Sequence, residues 1–82
     1  MSTRITDGAT LRKTRILDLI RYVHDVKGAT TQQIESYMLA LHGLKFDTTV
    51  RMIHECHMAH LLVEEHGQWL ISDKAAEALY KT

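Results

Sequence analysis

The sequence predicts a small α+β domain of three helices, a two-stranded hairpin and a short closing helix. Three observations carry this expectation. In Phe46–Leu61 the residues Val50, Ile53, His57 and Leu61 recur at helical spacing, which puts them on one face of a 3.6-residue helix. Leu62–Glu65 and Gln68–Ile71 then flank His66-Gly67 as two short strands around a tight turn, where Gly67 can take positive φ. Upstream, two further stretches repeat the helical spacing, and a short connection joins the second of them to Phe46.

The chain opens with a polar stretch, Met1–Thr10, which contains Gly8 and is expected to be a loose arm. Arg4 and Arg12-Lys13-Thr14-Arg15 place cations on or beside it, where they solvate a helix or meet phosphate. Helical spacing runs through Ile16, Leu19, Ile20, Val23 and Val26, with Thr10 as the expected N-cap and Lys27-Gly28 as the stop. Leu11, Leu17 and Tyr22 broaden that apolar stripe, as a central core helix or a dimer seam requires.

A short strand is expected at Ala29-Thr30. Thr30 with Gln33 then makes a T-x-x-Q capping box, with Thr31 as the other candidate cap, for a helix through Ile34, Tyr37, Met38 and Leu41. Gly43-Leu44-Lys45 turns the chain into a third helix at about 47–61. Its expected N-cap is Asp47, accepting from Thr49 or Val50. Ser72 or Asp73 caps a last helix over Lys74–Tyr80, rich in small residues.

Eighty-two residues make one domain, and 45% apolar content is ordinary for a globular protein. No apolar run approaches a membrane span and no signal-peptide core opens the chain, so a soluble, cytoplasmic protein is expected. The single Cys56 excludes an internal disulfide and fits a reducing compartment. Ten basic and ten acidic residues cancel, but unevenly: Met1–Lys27 carries a balance of +3 and Gly28–Thr82 one of −3. That matters for a nucleic-acid partner, because affinity rests on neutralising phosphates.

Thr49-Val50-Arg51, Leu62-Val63-Glu64-Glu65, Gly67 and Trp69-Leu70-Ile71-Ser72-Asp73-Lys74-Ala75 together resemble winged helix-turn-helix transcription regulators of the MarR, PadR and ArsR-like kind. The likeness covers roughly Ala29–Leu79. Those families read T-V-R, a helix, G-L-V, a wing, and a strand ending in T-x-K-G. Here Leu61 stands at the glycine before the strand, Ala75 at the last glycine, and His54 and His57 at positions that usually hold core leucines. The resemblance implies that the third helix enters a DNA major groove and that the His66-Gly67 turn approaches the backbone or minor groove.

With Val50, Ile53, His57 and Leu61 inward, the opposite face carries Thr48, Arg51, Met52, Glu55 and Ala59. Arg51 is its one cation, able to fork onto a guanine edge or a phosphate. Thr48 and Thr49 suit phosphate or base hydrogen bonds, Met52 a thymine methyl, and Glu55 a cytosine amine. Gln32, Gln33 and Lys45 suit phosphates from the preceding helix and turn. On the wing, Glu64 and Glu65 repel phosphate and leave His66 and Gln68 to make contact.

His54, Cys56, His57 and His60 invite a metal reading, but zinc needs about four converging ligands and Cys56 points away from the histidines. H-E-C-H also lacks the second His at i+4 of the zinc-protease motif. His57 is therefore expected at the core edge, His60 in solvent, Trp69 as a core lid and Cys56 as inert packing. No constellation for catalysis and no cofactor motif is legible. The expected function is a sequence-specific double-stranded DNA-binding transcription regulator, acting as a homodimer through its first and last helices. The alternative is a winged-helix protein-interaction or assembly module.

Overall fold

A computed structural model describes residues 8–81. The elements are α1 (Gly8–Val26), α2 (Thr31–His42), α3 (Phe46–Met58), β1 (Leu62–Glu65), β2 (Gln68–Ile71) and α4 (Asp73–Lys81). The architecture is mixed α+β, as the sequence predicts, and both strands have the expected bounds. No described helix is long and apolar enough to cross a membrane.

Helix α1 spans Gly8–Val26, so Thr10 lies within it and is not its cap, and the last three residues of the loose arm expected at Met1–Thr10 are helical instead; the rest of that arm lies outside the described residues. At its other end Gly28 N–H donates to Val23 O at 3.1 Å and Lys27 N–H to His24 O at 3.2 Å. This is a Schellman closure. The left-handed pivot is Lys27 (φ 60°), and Gly28 follows at φ 116°. A Cβ on Gly28 would lie 2.9 Å from Leu70 Cδ2, so the glycine also lets β2 close against the helix end.

The capping box of α2 forms as expected. Gln33 N–H donates to Thr30 Oγ1 at 3.2 Å, and Thr30 N–H donates to Gln33 Oε1 at 2.8 Å. Gly43, left-handed at φ 68°, ends the helix. Helix α3 departs from expectation at both ends. It starts at Phe46 with Lys45 as an N-cap that makes no side-chain bond. Asp47 sits inside the first turn, accepts the Thr48 N–H at 2.9 Å, and complements the helix dipole. The helix stops at Met58, short of Leu61, because His60 turns left-handed (φ 63°). His60 N–H then reaches His57 O at 3.0 Å and Leu61 N–H reaches Cys56 O at 2.8 Å.

Strands β1 and β2 pair antiparallel from Leu62↔Ile71 to Glu65↔Gln68. His66 (φ 53°) and Gly67 (φ 79°) are both left-handed, the signature of a two-residue type I′ turn. The strand expected at Ala29-Thr30 is a single bridge: Ala29 N–H donates to Trp69 O at 3.0 Å, and Trp69 N–H to Ala29 O at 2.7 Å. Ser72 rather than Asp73 caps α4, accepting from Ala75 N–H at 3.1 Å and donating to His60 O at 2.6 Å.

The core gathers Leu19, Ile20 and Val23 of α1, Ile34 and Met38 of α2, Leu44 of the turn, Met52, Ile53 and Cys56 of α3, then Leu62 and Ala75. Val50 and His57, expected inside, are exposed. The buried stripe of α3 is Thr49, Met52, Ile53 and Cys56, rotated by about 100°, one residue's turn, from the stripe the spacing suggests.

Candidate nucleic-acid interface

Because α3 buries Thr49, Met52, Ile53 and Cys56, its outward face is Asp47, Val50, Arg51, His54 and Met58, with Phe46 and His57 on one flank. Of the residues expected to read DNA from this helix, Arg51 faces solvent and Thr48 is half-buried. Thr49 is fully buried, and Met52 is only 6% exposed, so neither can reach a base. Both belong to the core because a helical position one residue away from a solvent-facing one points about 100° aside. Glu55 is half-buried and its carboxylate pairs with the Arg12 guanidinium of α1. It is therefore directed at the neighbouring helix and is not set to accept from cytosine.

Gln32, Gln33 and Lys45 are exposed, as are His66 and Gln68 at the hairpin end. The Gln33 carbonyl oxygen is already committed to the capping box. Gln32 and Gln33 line an open groove together with Phe46, Ser36, Tyr22 and Tyr37, which sets the first turns of α2 beside the start of α3. Tyr22 and Tyr37 stack there with ring centroids 4.2 Å apart. The hairpin joins the same assembly through Trp69. Its Nε1–H donates to Thr31 Oγ1 at 2.9 Å, and the His57 ring meets it edge-on at 5.3 Å between centroids. His57 is thus an exposed ring resting on a half-buried indole, not a core residue.

The residues missed from the sequence are the apolar ones on the outward side: Phe46, 55% exposed, Val50, 45%, and Met58, 66%. The signal that could have found them is Thr49. Threonine reads as polar, yet here it fills the core and its Oγ1 has no hydrogen-bond partner. With Thr49 counted as apolar, the 49-52-53-56 stripe outranks the 50-53-57-61 one.

Fixed charge on this surface is sparse. From Lys45 to Ile71 the cations are Lys45 and Arg51, set against Asp47, Glu64, Glu65 and the paired Glu55. Cys56 lies on the buried side of α3 while His54 lies outside, so these two cannot meet at one ion. Among the described residues no group of three or more His, Cys, Asp or Glu could hold a metal. Burial, with a smaller push from Glu55 and an opposing pull from Arg12, raises the Cys56 thiol to about 11.

No family model matches the chain, and no curated protein or solved structure matches it either.

Proposed function

We propose that this chain is a small winged helix-turn-helix protein that binds duplex DNA as a transcription regulator. The observation that carries the reading is the succession α2, a three-residue turn, a solvent-facing α3 bearing Arg51, and a hairpin fastened to the start of α2 through Trp69. Laid in a major groove, α3 offers Arg51 to a guanine edge or phosphate, Val50 to a thymine methyl, and His54 to either. Lys45 and Gln32 stand at the rim, where phosphates run. The protein acts by occupying its site.

A duplex site with two-fold symmetry calls for two copies. Tyr80, 81% exposed at the end of α4, and exposed Leu11 and Val26 of α1 supply apolar surface for pairing. Light scattering at tens of micromolar is expected to give a dimer, and a monomer there counts against this part of the reading.

The test of DNA binding is selection from a genomic library, followed by titration of wild type and Arg51→Ala on selected and scrambled duplexes at two salt concentrations. A bidentate contact to guanine predicts a loss of about 1–3 kcal/mol and relaxed preference at one base pair. A phosphate contact predicts uniform weakening and a salt slope shallower by about one. Failure to enrich any duplex, with equal weak binding by both proteins, defeats the reading.

A specific observation favours a second reading. Phe46, Val50 and Met58 put apolar area on the outward side of α3, and the hairpin beside it is acidic. Such a face suits a protein partner better than a phosphate backbone. Loss of a co-purifying partner on Val50→Asp, with no enrichment of DNA, would favour this alternative.

A further inference from the structure

Four of the six histidines lie on one short stretch, and all four are exposed: His54 on the outward face of α3, His57 on its flank, His60 at its C-terminal turn and His66 at the hairpin turn. The other two are placed differently. His42 Nε2 is 2.8 Å from Asp18 Oδ2, joining the end of α2 to α1, and His24 faces Tyr80 edge-on.

The charged groups around the four are few. On α3 itself they are Asp47, Arg51 and Glu55, the last held by Arg12 of α1. From α2 comes Glu35, on the groove shared with Phe46. From the hairpin come Glu64, directly across from Trp69 on which His57 rests, and Glu65, next to His66. From α4 come Asp73 and Lys74, whose Nζ donates to Ala59 O at 3.2 Å beside His60.

Resting on the DNA-binding reading above, we propose that this surface is a proton-gated anion-binding face, its affinity for nucleic-acid phosphates set by the four histidines. With neutral imidazoles the stretch Lys45–Ile71 has two cations and four carboxylates, a balance of −2; with all four protonated the balance is +2. Among side-chain types, imidazole is the one that ordinarily gains a proton in the window from about pH 8 to 5, where carboxylates as a class stay charged. A polyanion stabilises the cationic imidazoles, so binding takes up protons and affinity falls as pH rises through that window. The formal balance of that stretch reverses, which Arg51 and Lys45 alone cannot achieve.

The experiment is fluorescence anisotropy of the full chain with a short mixed-sequence duplex at pH 5.5, 6.5 and 7.5 and constant ionic strength. It is paired with calorimetry in two buffers of different ionisation enthalpy to count protons taken up. Wild type is expected to bind about ten- to hundredfold tighter at pH 5.5 than at 7.5, with a steeper salt slope at the lower pH. The combined variant His54→Gln, His57→Gln, His60→Gln and His66→Gln is expected to lose most of that gain. His54→Gln and His66→Gln, both at exposed positions, are each expected to lose a share should the fourfold variant not fold. Binding that is equal at all three pH values, or a gain fully retained by the variants, overturns the gating while leaving DNA binding in place. No binding at any pH overturns both.

Discussion

The indole Nε1–H of Trp69 donates to the hydroxyl oxygen of Thr31 across 2.9 Å, tying the hairpin to the first turn of α2. Two backbone bonds between Trp69 and Ala29 close the same joint. Trp69 thus links the hairpin to the start of α2, and its ring also meets the His57 ring of α3. In the proposed complex this joint decides whether the hairpin and α3 can meet one duplex together.

Removing the hydroxyl tests the joint. Thr31→Val keeps the side-chain shape and leaves a half-buried indole N–H without its acceptor, an expected loss of about 1 kcal/mol. Trp69 is the chain's one tryptophan, so urea unfolding followed by its fluorescence reports the change directly. An unchanged midpoint means that water replaces Thr31 at no cost, and the hairpin is then not held by this bond.

The rotated face of α3 gives a paired prediction. Met52, buried among the core residues, should lose about 2–4 kcal/mol on Met52→Ala, through lost contacts and the cavity left behind. Val50→Ala, on the exposed side, should stay within about 0.5 kcal/mol. Thermal melts of the two variants decide between the orientations. A stable Met52→Ala beside a damaged Val50→Ala would restore the face that simple apolar spacing suggests.

How legible this was depends on what each signal rests on. The capping box at Thr30 and Gln33 and the turn at His66-Gly67 were readable, because each is a local arrangement set by neighbours in sequence. The rotation of α3 was not, because Ile53 belongs to both candidate stripes and Thr49, which reads as polar, fills the core where Val50 was expected. The helix end at Met58 was hidden too: a histidine, not a glycine, takes the left-handed position. At the candidate interface Arg51, Lys45, Gln32, His66 and Gln68 were exposed as expected, while Met52 and Thr49 followed the rotated face inward. Glu55 is engaged by a long-range ion pair with Arg12 that no local pattern encodes.

Cys56 offers a chemical readout of the same orientation. Burial holds its thiol protonated up to about 11, whereas in an unfolded chain it titrates near 8.5. Below about 8.5 both states keep the proton and the thiol adds no pH dependence. Above that the unfolded chain sheds it first, so stability falls as pH climbs towards about 11. Iodoacetamide at about pH 8 should label the native protein far more slowly than the urea-unfolded chain. Equal labelling rates would place Cys56 at the surface and undo the assignment of the buried stripe.

His60 sits at φ 63°, where an L-residue other than glycine is disfavoured by roughly 1–2 kcal/mol. Its position is the pivot of the closure in which Leu61 N–H reaches Cys56 O, so it cannot relax without unmaking the helix end. The residue here that needs glycine's freedom is thus His60 and not Leu61. His60→Gly should therefore raise stability, by about 0.5–1 kcal/mol once glycine's greater freedom in the unfolded chain is offset. Leu61→Gly, which removes a half-buried side chain packed on the core, should lower it. Urea midpoints for the two variants give opposite signs if the pivot is at His60. The reverse order would move the pivot to Leu61 and extend α3 by a residue.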